Sequence, residues 1–185
     1  FRLLAEPTRG EITIRSKSIK SRSRTGQPNQ RKNEICCVFQ AYNLIPVLSV
    51  LENVEYVMLL QGVNKMNRHA SALEVLEEVG LQGMANRKPS ELSGGQQQRL
   101  GTARAIAVEP EILLMDEPFS ALDPLSRLQL QDQFKALVAQ LKKTTLFITH
   151  DLDEAIRIGH RIAIMKDGVI VQIGTPEDIV MNPAD

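Results

Sequence analysis

The sequence is poor in cysteine and in aromatic residues. It contains no tryptophan, two tyrosines and five phenylalanines. Its two cysteines, Cys36 and Cys37, are adjacent and cannot join distant segments by a disulfide, and no Cys/His spacing indicates a zinc site. We expect both thiols to be buried and reduced, as is usual in the cytoplasm.

Net charge and long apolar runs are also absent. Lys plus Arg and Asp plus Glu each number 22, which argues against a general polyanion binder and predicts no nucleic-acid partner. The apolar runs at 112–115 and 169–171 are far shorter than the roughly 20 residues of a membrane-spanning helix, so a membrane role would need a partner protein. The 185 residues suit one globular domain. They open on Phe1 without a signal sequence, and we expect them to be a piece of a longer product.

The N-terminal part has one compositionally unusual segment. Between Glu11 and Glu34 there is no acidic residue, and seven basic residues alternate with Ser, Gly, Pro and Asn. This composition predicts a solvated loop between two strands, at 11–14 and 35–39. The sequence assigns no role to the basic stretch at 15–32. Apolar spacing then predicts helices over 49–61 and 70–79.

The C-terminal half is more regular. An apolar strand at 112–115, a helical apolar repeat between 130 and 141 and a strand at 145–148 form a β-α-β unit, which implies parallel strands. A short helix at 152–158 precedes two strands, at 161–165 and 169–173, and the Asp167-Gly168 pair between them predicts a hairpin. Thr175 as N-cap and Pro176 at the first helical position predict a last helix.

Two carboxylates, Asp116 and Glu117, follow the apolar strand directly. The C-terminal end of a strand in an open α/β sheet is where ligands bind. Successive side chains on an extended chain point in opposite directions, so one carboxylate could serve a metal ion and the other water. The alternative is that the Asp-Glu pair only caps a helix or a turn.

A second candidate site is the Ser93-Gly94-Gly95 turn before a helical face at 97–107. Unpaired backbone N–H groups and the positive end of the helix dipole suit a phosphate at such a turn. A glycine-rich N-cap is also common for structural reasons alone.

Together these motifs resemble the ATPase domain of the ABC transporter family. The resemblance covers nearly the whole chain and rests on five motifs in the family's order, namely Phe39-Gln40, Leu92-Ser93-Gly94-Gly95-Gln96, Asp116-Glu117, Ser120-Ala121-Leu122-Asp123 and His150. It implies an α/β fold with a P-loop NTPase-like parallel sheet core, a helical signature subdomain and an N-terminal antiparallel β portion. The implied divisions of this single domain are 1–40 with the β portion and Q-loop strand, 41–107 with the helical subdomain, and 108–185 with the rest of the catalytic core.

The resemblance also implies roles for single residues, with ATP and Mg²⁺ as ligands. Asp116 and Gln40 would hold Mg²⁺, Glu117 would polarise the attacking water, and Gln40 and His150 would contact or sense the γ-phosphate. For His150 the alternative is a satisfied core histidine, and His69 and His160 match no motif. The residues implied to face nucleotide across a homodimer contact are Ser93, Gly94, Gly95, Gln96 and Asp123.

One motif of the family is missing from the 185 residues. No Gly-x-x-x-x-Gly-Lys-[Ser/Thr], the Walker A phosphate loop, occurs among them. The first residues, Phe1 to Ala5, resemble the end of the helix that follows this loop, so we expect the fold to be incomplete at the N-terminus. We therefore expect this piece alone to bind ATP weakly or not at all and to be inactive.

The leading hypothesis is the ATP-hydrolysing subunit of an importer, peripheral to the cytoplasmic face of the membrane. Its partners would be a transmembrane permease, a second ATPase subunit and, indirectly, a solute-binding protein. The stretch 148–185 most resembles the glycine betaine/proline uptake subgroup, whereas 39–46 also resembles exporters. The other readings are a non-catalytic interaction module, the ATPase of an exporter, and a soluble ABC ATPase of DNA repair or translation.

Overall fold

The computed structural model describes residues 9–10, 13–14, 17–18, 35–38, 43–120 and 122–184. Its described part contains both strands and helices, as an α/β fold requires. The elements are β1 (Thr13–Ile14), β2 (Lys17–Ser18), β3 (Ile35–Val38), α1 (Val50–Leu60), α2 (Lys65–Glu78), 3-10 turns at Gln82–Met84 and Pro89–Glu91, α3 (Gly94–Ile106), β4 (Ile112–Asp116), α4 (Pro124–Leu141), β5 (Thr144–Ile148), α5 (Leu152–Ile158), β6 (Ile162–Lys166), β7 (Val169–Gly174) and α6 (Pro176–Met181).

A parallel sheet organises the C-terminal half. Its strand order is β3-β4-β5, and the register places Ile35 beside Ile112 and Asp116 beside Ile148. The central strand β4 is apolar because both its neighbours and the packed helices exclude water from it, as parallel sheets require. The predicted β-α-β unit is confirmed.

Two antiparallel pairs stand apart from this sheet. The predicted hairpin is confirmed as β6 and β7, and Asp167 and Gly168 both have positive φ, 52° and 79°, as a type I′ turn requires. The pair β1 and β2 corrects the prediction of a loop after residue 14, because Lys17–Ser18 pairs with Thr13–Ile14.

Most helix boundaries follow their caps. The Ser49 and Thr175 side chains accept hydrogen bonds from Glu52 and Asp178 in capping boxes that start α1 and α6. Helix α2 begins five residues before the predicted start, because Asn64 caps it. Among the described residues, no helix is both long and apolar enough to cross a membrane.

The buried apolar residues form two clusters. One lies among α1, α2 and α3 and includes Val54, Leu76 and Leu100. The other lies between the parallel sheet and α4, where the rings of Phe119, Phe134 and Phe147 meet. The buried residues of this second cluster are Val38, Ala105, Leu113, Met115, Phe119, Leu122, Leu130 and Phe134. Cys36 packs at the edge of this second cluster, and both cysteines are half-buried and outside any disulfide, which corrects the prediction that they are buried.

Candidate functional site

The carboxyl end of β4 presents two acidic residues in different backbone states. Asp116 is the last residue of the strand and is exposed, opposite Ile148. Glu117 leaves the strand with φ 45°, and its N–H group donates to the Ile148 carbonyl at 2.9 Å. The Glu117 carbonyl accepts from the Ser120 backbone N–H at 3.3 Å and from the Ser120 Oγ at 2.9 Å. Both sides of the Glu117 peptide are therefore fixed.

The Glu117 side chain meets a histidine from the neighbouring strand end. Its Oε1 lies 3.1 Å from Nδ1 of His150, which comes two residues after β5. The pair forms because β4 and β5 run parallel in register, so that both chains leave the sheet at one edge. The side chains are 33% and 74% exposed, so the pair is open to a ligand from solvent and His150 is not a core histidine.

The described residues do not form a metal cage by themselves. No group of three or more His, Cys, Asp or Glu among them could hold a metal ion. Mg²⁺, however, is usually bound through one or two carboxylates together with substrate phosphates and water. The exposed Asp116 carboxylate beside the Glu117–His150 pair fits an ion that arrives with a phosphate ligand.

Ser93 begins α3 as its N-cap. Its Oγ accepts from the Gln96 N–H at 3.4 Å, and the Gln96 side chain accepts from the Ser93 N–H at 2.9 Å. Gly94 and Gly95 are the first residues of the helix, which corrects the prediction that the glycines form a turn before it. Their N–H groups, as first-turn donors, have no acceptor within the helix.

The two glycines also have a packing role. A Cβ atom on Gly95 would lie 3.1 Å from Cδ1 of Leu130 in α4, and one on Gly94 would lie 3.6 Å from Leu122. A side chain at 95 would therefore push Leu130, whereas position 94 has ordinary space. The structural and the phosphate-binding explanations of the Gly-Gly pair are compatible.

Asp123 is the N-cap of α4. Its Oδ1 accepts from the Ser126 N–H at 3.0 Å, and the hydrogen bonds from Ser126 hold the pKa of this carboxyl below its usual range. Cap stabilisation of this kind is present above the unfolded pKa of Asp and is lost as the pH falls through the lower folded value.

Of the predicted site residues, the structure joins Glu117 to His150 directly and leaves Asp116 next to them. Gln40 lies outside the described residues, as does Ala121. His69 is engaged elsewhere, with its Nδ1 2.8 Å from Glu55, and His160 is exposed.

Sequence reasoning missed Asn53, which shapes the segment 43–49 before α1. This asparagine is fully buried, accepts from the Ile45 N–H at 2.9 Å and donates to the Ile45, Leu48 and Ser49 carbonyls. Only its place one turn after the Ser49 cap could have drawn attention to it, because its partners come from the loop and not from a helix repeat.

Comparisons with known proteins show which family the chain belongs to. The family described as ABC transporter matches residues 1–120 of the chain. The chain belongs to the ABC transporter family. It is 53% identical to the glycine betaine transport ATP-binding protein OpuAA of Bacillus subtilis, over 98% of this chain and 44% of that protein. It is 50% identical to the glycine betaine/proline betaine transport system ATP-binding protein ProV of Escherichia coli, over 98% of this chain and 46% of that protein.

The fold assignment is confirmed by a solved member of this ABC family. A dimeric post-hydrolysis state of the ATP-binding cassette MJ0796, bound to ADP and Pi, superimposes with a TM-score of 0.78 at 37% identity, over 94% of this chain and 76% of that one. The α/β cassette fold with its parallel sheet is thus the fold of this ABC chain. The chain spans about half the length of the two relatives named above.

Proposed function

We propose that the intact domain hydrolyses ATP at the Glu117–His150 edge of the parallel sheet and that hydrolysis drives solute uptake by an importer. The observation that carries the proposal is the 3.1 Å approach of the Glu117 carboxylate to the His150 ring beside the exposed Asp116. A carboxylate fixed at its backbone and open on its side-chain face can orient a water molecule. A neighbouring imidazole can contact the phosphoryl group that this water attacks.

Each residue at this edge then has one task in phosphoryl transfer, which depends on positioning and charge neutralisation. Glu117 orients and polarises the attacking water, and His150 contacts the γ-phosphate from the adjacent strand end. Asp116 would hold Mg²⁺, and Gln40 is the second ligand that the family resemblance implies. When bound, ATP supplies the phosphoryl group and Mg²⁺ neutralises part of its charge.

A second copy of the domain would complete each site. The first-turn N–H groups of Gly94 and Gly95, with Ser93 and Gln96, would face the nucleotide of the opposite subunit, and Asp123 would lie along the dimer contact. The lack of intrahelical acceptors for these N–H groups supports the assignment. The dimeric form of the related cassette MJ0796 supports the same arrangement.

The cargo would be glycine betaine, proline betaine or a similar osmolyte. The names of two relatives, each about half identical to this chain, support this assignment. The ATPase itself would not touch the solute, which a permease and a solute-binding protein would select. The segment 43–54 is a suitable place for a cytoplasmic helix of the permease, since Asn53 fixes its backbone and Val47 is 74% exposed.

The catalytic assignment is tested by Glu117→Gln in a form extended upstream so that it carries a phosphate loop. We expect nucleotide binding to remain and the turnover number to fall by about 10²- to 10⁴-fold, because an amide cannot polarise water as a carboxylate does. Glu109→Gln is the matched control, since Glu109 is also a glutamate with positive φ but is exposed and forms no ion pair with His150 among the described residues. Near-normal hydrolysis by the Glu117→Gln form would refute the assigned role.

The cargo is tested separately, by deleting the parent gene in a strain without another betaine importer. We expect betaine-dependent growth at high salt to fail and to return when the gene is restored. Unimpaired growth of the deletion strain would reject the cargo and leave the ATPase proposal standing.

A further inference from the structure

Arg127 is a cation in the first turn of α4 that touches two separate segments. Its Nη2 donates to the Leu122 carbonyl at 3.1 Å, and its Nη1 lies 3.9 Å from Oδ2 of Asp151. Its own N–H bonds back to the Asp123 carbonyl, so the base of the side chain is fixed by the helix. One guanidinium thus joins the segment before α4 to the segment before α5.

The Asp151 end of this link lies next to His150 in the chain. The other carboxylate oxygen of Asp151, Oδ1, accepts from the Glu154 N–H at 3.1 Å and caps α5, and the Asp151 N–H donates to Thr149 Oγ1 at 3.0 Å. Asp151 is therefore held on three sides. A shift of Asp151 must move the peptide that carries His150, whose ring lies against Glu117.

The chemistry of the link requires arginine. The two acceptors are reached by the two terminal nitrogens of one planar group, whereas a lysine ammonium is a single point and offers no such fork. The Nε of Arg127 is buried and makes no hydrogen bond among the described residues, a cost that a freely solvated side chain would avoid. A partly exposed ion pair at 3.9 Å contributes little to stability, so stability alone does not explain the arrangement.

We propose that Arg127 is a positioning residue for hydrolysis, one that makes the placement of His150 depend on the placement of the segment 122–123. This inference rests on the proposed function, because it assumes that the Glu117–His150 pair performs the reaction. If the segment 122–123 moves when two subunits meet, the movement reaches Asp151 through the guanidinium and the His150 ring follows.

The same pair of helices supplies a matched control. One turn further along α4, Asp132 accepts from Arg157 of α5 in a two-oxygen contact at 2.9 Å. This ion pair joins α4 to α5 as the Arg127 contact does, but among the described residues it touches neither the segment 122–123 nor Asp151. Asp132→Asn therefore weakens the helix contact without cutting the proposed link.

The first test is kinetic and uses the form extended with a phosphate loop. We expect Arg127→Gln to lower the turnover number by at least about tenfold, because small misplacements of reacting groups are costly, while the KM for ATP changes less than about twofold. Arg127→Lys should recover little of the loss, and Asp132→Asn should keep the wild-type turnover.

A double variant tests whether Arg127 and Asp151 belong to one link. Adding Asp151→Asn to Arg127→Gln should lower turnover no further than the more damaging single change, since both substitutions break the same link. Equal losses for Arg127→Gln and Asp132→Asn, or losses that multiply in the double variant, would overturn the proposal.

The second test needs no hydrolysis and uses the 185-residue chain. We expect Arg127→Gln to speed hydrogen exchange of the Glu154 amide at least about fivefold more than Asp132→Asn does, because Glu154 donates to the Asp151 side chain. Equal exchange in the two variants would show that Arg127 does not hold Asp151. If the extended wild-type domain hydrolyses no ATP while this exchange difference is present, the proposed function fails and the mechanical link stands.

Discussion

The Cys36 thiol shows how burial changes the chemistry of a single residue. Burial and, next, the neighbouring Cys37 raise the pKa of Cys36 to about 11. The thiolate, which is the reactive form, is then scarce at pH 8. In a Cys37→Ser variant, where burial still raises the pKa of Cys36, we expect iodoacetamide to alkylate Cys36 at least about tenfold more slowly at pH 8 than in the urea-unfolded chain, where the pKa is near 8.5.

The same raised pKa has a consequence for stability. Because the folded state keeps Cys36 protonated, the contribution of this thiol to the stability of the fold is complete below the unfolded pKa and is lost as the pH rises toward the folded value of about 11.

In the alkylation experiment, a Cys36→Ser variant leaves Cys37 in place, reports the alkylation rate of Cys37 and serves as the control. Equal alkylation rates for folded and unfolded Cys36 would contradict the assignment.

Asn53 carries a second prediction at the level of one side chain. Asn53→Leu would leave the Ile45 N–H without its acceptor and remove a donor from the Leu48 carbonyl. We expect a loss of about 1–3 kcal/mol in the free energy of unfolding, measured by urea denaturation. Asn67→Leu is the control, since Asn67 is exposed on α2. Similar losses for the two variants would mean that the Asn53 hydrogen bonds do not stabilise the loop.

Local chemistry explains which single residues the sequence could identify. The Ser49 and Thr175 caps depend on residues three positions away, so the pattern alone predicts them. The partners of Asn53 include Ile45, eight residues away in a loop without periodicity, and those of Arg127 lie on two segments. Residue spacing alone does not predict such tertiary contacts.

The contact between α4 and α5 contains a buried polar pair. Gln131 and Glu154 are both buried, and the Gln131 amide donates to the Glu154 carboxyl group at 2.8 Å. Gln131→Leu would leave a buried carboxyl group without this donor, and we expect it to lower the unfolding free energy by about 1–3 kcal/mol. Gln133→Leu, at an exposed position two residues on, should cost much less. Thermal melts of both variants compare the two losses of stability, and equal melting temperatures would contradict the prediction.

Strong periodicity and known turn chemistry made most elements predictable. Helix α5 has its predicted bounds, and the Asp167-Gly168 hairpin forms because two positive φ angles suit those residues. The errors concern elements with weak apolar patterns. Strand β2 holds two polar residues, and the start of α2 depends on Asn64, which precedes a polar first turn.

At the scale of the whole molecule, the proposed dimer makes a prediction about mixed subunits. Ser93→Arg should damage the nucleotide site of the partner, whereas Glu117→Gln should damage the site of its own subunit. A mixed dimer of the two variants would then hold one site with both changes and one intact site. We expect mixing two inactive extended forms to recover part of the ATPase activity.

Homodimers of each variant alone provide the baseline. If Ser93 acted on its own subunit, every site of the mixed dimer would carry one change and mixing would recover nothing. That outcome would refute the placement of the α3 N-terminus opposite the partner's nucleotide.

The overall architecture was predictable because the motifs occur in a characteristic order, and the fold of the related cassette confirms it. Spacing alone could not show that β3 and β5 both pair with β4, or that Gly95 packs against Leu130. Those contacts depend on how the strands and helices meet. The parallel register of β4 and β5 brings Glu117 and His150 to within 3.1 Å at one edge of the sheet.

The left-handed backbone of Glu117 opposes its proposed catalytic role to the thermal stability of the fold. Its φ of 45° costs a non-glycine residue about 1–2 kcal/mol, and asparagine tolerates this region far better than glutamate does. A Glu117→Asn chain should therefore melt at a higher temperature while its turnover collapses. Selection for thermal stability alone would therefore favour asparagine at position 117. Under the proposed role of Glu117, selection for ATP hydrolysis would favour glutamate there.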